Sequence, residues 1–255
     1  MRNRFILTPF FLDEPSLELA SLAQPGWQVN KPILPSGDKQ QRMSALHQPL
    51  AELVTNAVLQ GDRPVSIAGD CCTSLGILAG LQRAGLHPAL LWLDAHGDFN
   101  TWETTPSGFI GGMPLAMLVG RGEQIMAQAV RLRSLPESRV ILSDGRDLDP
   151  EEKRALAQSE VQHVVDARSL PDHLPLTDPV YVHFDVDIIN PDDAPAMRYR
   201  AAGGPSLADL RVVFQSFART KQIVAVSVAT WAPELDEDGR SQAASMELLQ
   251  LLIGR

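Results

Sequence analysis

Two cysteines, Cys71 and Cys72, are all that the 255 residues contain, and they are adjacent. Neighbouring cysteines rarely reach disulfide geometry, so no covalent framework is expected and nothing calls for an oxidising compartment. Long apolar runs are missing too: none approaches the roughly 20 residues that a membrane-spanning helix needs. The opening segment MRNRFILTPFFLDEPSLELA sets two arginines before apolar residues, but Pro9 interrupts the run and Asp13 and Glu14 follow, which makes a poor signal peptide. Positive charge is scarce: 22 Lys and Arg stand against 31 Asp and Glu, for a formal net charge of −9, and the basic residues are scattered. That argues against a nucleic-acid surface or an anionic membrane and for a small-molecule ligand. No phosphate loop, G-x-S-x-G elbow or dinucleotide fingerprint occurs, so nucleotide and serine-hydrolase chemistry has no footing. These absences together predict a cytoplasmic protein acting on a small molecule, with homo-oligomerisation left open.

What is present is an alternation. Short apolar or β-rich segments, RFILT, PVSIA, ALLWLD, RVILS, VQHVV, PVYVHFD and IVAVSVA, mostly alternate with stretches of helical character at about 39–58, 73–84, 113–130, 150–159, 206–219 and 240–253. Asp149-Pro150 reads as N-cap and first turn of one helix, and Ser206 as the N-cap of another. This predicts a single three-layer α/β/α domain over residues 1–255, with a mainly parallel sheet of about eight strands. Structureless stretches at about 98–112, 188–205 and 230–240 each follow a predicted strand. In an open α/β sheet, ligands bind outside the carboxyl ends of the strands, where those loops converge.

Acidic side chains sit at these strand ends. ALLWL runs into Asp94, and with period-two geometry Asp94, His96 and Asp98 point to one side. PVYVHFDVD closes with Asp185 and Asp187 at equal parity, and Cys71 follows PVSIAGD. One Asp at a strand end is commonly a turn former; both combs together imply metal, because five crowded carboxylate and imidazole groups are costly to bury without a cation. Six donors on three strand ends can hold two divalent ions with shared carboxylates. Such a pair, about 3.5–4 Å apart, can ionise a water between them. His183 shares parity with Asp185 and reads as a core residue one pleat below; Cys72 reads as packed away.

The segments AGDCCTSLG, LDAHGDFNTWETTPSG, SDGRDLDP and HFDVDIINP resemble, in order and spacing, the signatures of the arginase, agmatinase and formimidoylglutamase superfamily, from about residue 64 onward. The resemblance implies an arginase-like fold and two Mn2+ ions. Asp94 and Asp185 would bridge them, Cys71 and Asp98 would complete one ion, and His96 and Asp187 the other. A hydroxide between the ions would attack a guanidino or imino carbon, with Asp98 holding it and passing on its proton. Asn100, Thr105 and Ser107 fall where arginases bind the α-carboxylate of the substrate, and Asp149 where they bind its α-amino group.

Several positions depart from the pattern. Cys71 replaces a His ligand; being softer than imidazole, a thiolate also moves metal preference away from manganese. SGFIGG replaces SGNLHG, so Gly111 stands in place of the proton-shuttling His. Both changes occur together in Nω-hydroxy-L-arginine amidinohydrolases, the branch of the superfamily that this chain most resembles. Thr230 stands where a guanidinium-pairing Glu is usual, leaving Glu234 or Asp236 to reach back. MRYRAAGGP, with Arg198, Tyr199 and Arg200, replaces the usual GTP turn and offers two arginines for an anionic group. The expected function is a binuclear metal-dependent hydrolase of a linear C–N bond in a guanidino or hydroxyguanidino compound. The alternatives are the same chemistry on an amide or formimino substrate, or a non-catalytic metal-binding relative.

Overall fold

The computed structural model describes residues 1–173, 179–220 and 222–254. Its strands are β1 (Asn3–Thr8), β2 (Phe10–Phe11), β3 (Glu14–Pro15), β4 (Gln28–Val29), β5 (Arg63–Ala68), β6 (Ala89–Asp94), β7 (Val140–Asp144), β8 (Gln162–Val164), β9 (Val180–Asp185) and β10 (Ile223–Ala229). Its α-helices are α1 (Leu17–Ala20), α2 (Lys39–Leu59), α3 (Ser74–Arg83), α4 (Pro114–Leu118), α5 (Ile125–Ala129), α6 (Pro150–Ala157), α7 (Leu207–Thr220) and α8 (Arg240–Ile253). Eight strands form one sheet in the order β4-β1-β5-β10-β9-β6-β7-β8, and every pair in it is parallel. β2 and β3 form a separate antiparallel hairpin.

Alternation within the central strands builds two cores. In β6, Leu91 and Leu93 face one side and pack with Val182 and Phe184 against α7 and α8; Leu90 and Trp92 face the other and pack with Leu142 against α2 and α3. Because both faces are covered, the strands read as unbroken apolar runs. α7 buries Leu210, Val213, Phe214 and Phe217, a spacing that puts all four on one helical stripe. Each large side chain removed from water in this way contributes about 1.5–3 kcal/mol. α3 lies close on α2 at Gly80, where a Cβ would meet the Ala51 carbonyl at 2.6 Å.

Helix starts follow the predicted caps. Ser206 Oγ accepts from the Asp209 amide at 3.1 Å, while Asp209 Oδ2 accepts from the Ser206 amide at 3.0 Å, a reciprocal capping box ahead of α7. Pro150 opens α6, and Glu152 Oε2 accepts from the Asp149 amide at 3.2 Å. The helix expected over 113–130 is instead two short helices. Gly120 and Gly122, at φ +86° and +62°, turn the chain between α4 and α5. The edge strand β4, two residues long, and the β2–β3 hairpin carry too little periodicity to be read from sequence.

Candidate metal centre

The four central strands end at the same edge of the sheet. In the order β5, β10, β9, β6, their C-terminal ends and the turns just beyond present Cys71, Thr230, Asp185 and Asp94. Leu93 pairs with Phe184, so the next residues, Asp94 and Asp185, are neighbours across β6 and β9. The period-two comb, however, stops at the strand end. β6 closes at Asp94, and Asp98 lies in the left-handed region at φ +49°; beyond Asp185 the chain enters a 3-10 turn, Val186–Ile188, that contains Asp187. His96, Asp98 and Asp187 are therefore placed by loop geometry rather than pleat, and backbone amides fix that geometry. The His96 amide donates to Asp94 Oδ1 at 2.7 Å, the Asp187 amide to Asp185 Oδ1 at 2.8 Å and the Ala95 amide to Asp187 Oδ1 at 3.1 Å.

Two three-donor clusters result. Cys71, Asp94 and Asp185 each offer a ligand atom within 4.8 Å of the others, and so do Asp94, His96 and Asp187. Asp94 belongs to both. Cys71 Sγ lies 3.0 Å from Asp185 Oδ2, and His96 Nδ1 lies 2.9 Å from Asp187 Oδ2. Asp98 belongs to neither cluster but lines the same cavity.

Burial, reinforced by neighbouring carboxylates, pushes Asp94 and Asp187 up to about 6 and Asp185 up to about 8. For Asp98 and Cys71 the same causes raise the pKa well above the ordinary value. Burial disfavours a charge on His96, but hydrogen bonds and attraction from Asp187 and Asp94 outweigh it and push the ring up to about 12. A group of acids this crowded calls for added positive charge. The donors fit two divalent ions: oxygen and nitrogen in one cluster, oxygen and a soft sulfur in the other, with one shared carboxylate.

Of the cluster residues, Asp94 is buried, while Cys71, His96, Asp185 and Asp187 line a cavity of about 400 Å³. Asn100, Thr105, Ser107, Asp149 and Thr230, all singled out by sequence, line it, and no lysine or arginine among the described residues does. Asn100 Nδ2 donates to Asp149 Oδ2 at 2.9 Å. Thr105 Oγ1 accepts from the Gly108 amide at 3.1 Å and Ser107 Oγ from the Phe109 amide at 3.2 Å, and the two hydroxyls lie 3.4 Å apart, so one donates to the other and a single hydroxyl proton is left over. The Thr230 hydroxyl donates to Asp185 Oδ1.

Neither of the two acids that were candidates to reach back from the following loop does so. Glu234 Oε1 pairs with Arg198 at 2.5 Å, and Asp236 accepts from the amides of Ser241 and Gln242 and from Trp231 Nε1, around the start of α8. Arg198 stacks over Phe11 at 4.6 Å and Arg200 is exposed, and neither arginine of that loop lines the cavity. His183 is buried and donates or accepts at Ser227 Oγ, 2.7 Å from Nδ1, and Cys72 is packed away, both as expected. Sequence reasoning passed over Glu152, which is 3% exposed and accepts from the Phe99 amide at 2.8 Å, tying the Asp98 loop to α6. Its position three residues past the Asp149 cap was the available signal. Phe11, Phe109 and Asp70, which also line the cavity, carried none.

A parallel three-layer α/β fold with two acidic donor clusters at its carboxyl edge defines a metal-dependent hydrolase. The arginase family model matches residues 25–254, and the chain belongs to the arginase family. Arginase from Bacillus caldovelox is 30% identical over 222 residues, covering 82% of this chain and 74% of the relative. Arginase from Bacillus subtilis (strain 168) is 28% identical over 222 residues, covering 82% and 75%. In fold, the crystal structure of arginase from Bacillus subtilis superposes with a TM-score of 0.84 over 100% of this chain and 99% of that one, at 24% identity. By its family the protein is a hydrolase of C–N bonds other than peptide bonds. Among the described residues no helix is long and apolar enough to cross a membrane.

Proposed function

We propose that this protein, a single metallohydrolase domain, hydrolyses the C–N bond of a small cationic guanidino or hydroxyguanidino compound that carries an amino-acid-like handle. The observation that carries this reading is the pair of donor clusters sharing Asp94 beside an acidic cavity that no lysine or arginine among the described residues lines. A glutamate-derived formimino substrate would bring a second carboxylate into that cavity, where no lysine or arginine among the described residues could pair with it.

Cys71, Asp94, Asp98 and Asp185 would hold one ion, and Asp94, His96, Asp185 and Asp187 the other; manganese is the family's metal. Bound there, such ions would supply a water ionised near neutral pH and would offset the negative charge that develops on the heteroatoms around the attacked carbon. The remaining work belongs to the chain. The Asp98 carboxylate holds the proton of the attacking water and delivers it to the leaving nitrogen. The Thr105–Ser107 pair donates its one spare hydroxyl proton to the handle's carboxylate, and Asp149, oriented by Asn100, accepts from its ammonium. Thr230 keeps its hydroxyl on Asp185 and leaves the reacting group without a facing acid. That favours a hydroxylated guanidine, less basic than a guanidine and more readily neutral. The same feature supports the second reading, a neutral amide or formimino group attached to a cationic handle.

The test is release of urea, hydroxyurea or amine from Nω-hydroxyarginine, arginine, agmatine and formiminoglutamate by protein reconstituted with manganese, zinc or cobalt, with metal content measured on the same sample. The expected result is turnover of hydroxyarginine above the other three at about two ions per chain. Turnover of formiminoglutamate alone would reverse the substrate assignment, and less than one ion per chain would overturn the binuclear site.

A further inference from the structure

Three aromatic rings from three separate segments meet on one wall of the cavity. Phe11 comes from β2, Phe109 from the loop after β6, and Tyr199 from the loop after β9. Phe11 and Phe109 stack with centroids 6.5 Å apart, and Phe109 and Tyr199 meet at 5.0 Å with a 45° tilt.

The wall is fastened from behind. The Gly69 amide donates to the Phe10 carbonyl at 3.0 Å and the Leu12 amide to Asp70 Oδ2 at 2.8 Å, so the hairpin carrying Phe11 is bonded to the loop carrying Cys71. Gly69 is required there, because a Cβ would run into the Phe10 carbonyl. Arg198 covers Phe11 at 4.6 Å and is itself held by Glu234. Phe109 lies over Gly111, where a Cβ would come within 2.5 Å of its Cζ. Despite this support the rings are not core: Tyr199 is 45% exposed, and Phe11 and Phe109 are partly exposed.

The remaining wall of the cavity is acidic and hydroxylic. A ligand touching both walls needs a cationic or hydrogen-bonding end and a flat apolar body, since the rings offer only dispersion, apolar burial and the attraction of a ring face for a cation. A bare methylene chain would cover little of the three rings.

Resting on the C–N hydrolase reading above, we propose that the substrate is a guanidino or hydroxyguanidino compound whose nitrogen substituent carries a flat apolar group, an aryl ring or its equivalent in size, packed on Phe11, Phe109 and Tyr199. The wall is a specificity-determining surface, separate from the groups that act on the reacting carbon.

Two guanidines of equal charge test this: 4-phenylbutylguanidine and n-butylguanidine, each titrated calorimetrically into metal-reconstituted protein and each assayed for urea release. The phenyl probe is expected to bind about tenfold more tightly, as one or two well-packed aromatic contacts provide. Tyr199→Ala, on an exposed loop, should cut that preference to about twofold, and Tyr199→Phe should restore it. Equal affinity of the two probes for the wild type, or a preference unchanged in Tyr199→Ala, overturns the inference. Ring-dependent preference without hydrolysis of either probe would uphold the wall while restricting the chemistry to hydroxylated or handle-bearing guanidines. Hydrolysis of both with equal affinity would uphold the guanidine chemistry and refute the wall.

Discussion

Trp92 donates its indole N–H to Asp94 Oδ2 at 3.1 Å, and the ring of His183 stacks on that indole with centroids 3.8 Å apart. Trp92 and His183 pair directly across β6 and β9, one pleat below Asp94 and Asp185, and neither ring has any solvent exposure. His183 is in turn bonded to Ser227, whose Oγ also lies 2.7 Å from the Tyr181 hydroxyl. A buried polar layer thus holds the one carboxylate common to both donor clusters. Groups that orient ligands in this way are typically worth about 10–100-fold in metal affinity. Trp92→Phe keeps an aromatic ring, though a smaller one, and removes the donor, so metal affinity should fall by about tenfold or more with the circular dichroism spectrum retained. Equilibrium dialysis measures it; unchanged affinity would show that Asp94 needs no such support.

Phe109 and Gly111 are linked in a way that makes the missing side chain at 111 hard to restore. The Phe109 ring fills the space that a Cβ on residue 111 would enter. Gly111→His should therefore be destabilising by about 1–3 kcal/mol, the usual cost of overpacking. Phe109→Asn combined with Gly111→His should recover most of that loss, giving strong non-additivity between residues in contact. Urea unfolding of the two single variants and the double variant checks this, and additive losses would refute the coupling.

The fold was legible because its signals are long and repeated. Seven apolar segments alternating mostly with helical stretches are enough for a parallel sheet, and Asp149, Pro150 and Ser206 mark helix starts by local chemistry alone. The floor of the site was legible for a different reason: Asp94 and Asp185 both end apolar strands and each is followed by at least one further donor at equal parity, which is more than turn formation needs. What lay beyond the strands was less readable. His96, Asp98 and Asp187 gather at the site, yet through amide hydrogen bonds and a positive φ rather than through the alternation that suggested them. The opposite failure occurred after β10, where Glu234 and Asp236 looked free to serve the cavity. Their partners, Arg198 and the start of α8, are set by tertiary packing and by a turn that the sequence does not announce.

His47 gives a pH prediction independent of the metal site. It lies in α2, fully buried, with no hydrogen-bond partner for Nδ1 or Nε2 among the described residues. Burial lowers its pKa from 6.5 to about 4. Between those values the unfolded chain takes up a proton that the folded chain refuses. The stability is complete above about pH 6.5 and drains away as the pH falls toward 4. One proton corresponds to about 1.4 kcal/mol per pH unit. Relative to wild type, His47→Leu should gain about 2 kcal/mol on going from pH 7 to pH 5, whatever its offset at pH 7. Denaturant unfolding at the two pH values reads that difference, and parallel curves would mean that the imidazole is solvated or paired.

Asp98 is proposed both to help hold one ion and to carry the proton, and one variant weighs the two roles against each other. It lines the cavity but stands outside both donor clusters, at a left-handed φ of +49° that aspartate tolerates better than most residues. Asparagine shares that tolerance and nearly the same shape, so Asp98→Asn should fold normally. If the carboxylate moves the proton from water to the leaving nitrogen, an amide in its place should lower kcat by about 10²–10⁴. The clusters Cys71–Asp94–Asp185 and Asp94–His96–Asp187 remain intact in that variant, so at saturating metal it should still carry close to two ions per chain. Turnover and metal content measured together decide the point. Loss of one ion along with activity would make Asp98 chiefly a ligand, whereas near-normal turnover would leave the proton to solvent and remove Asp98 from the mechanism.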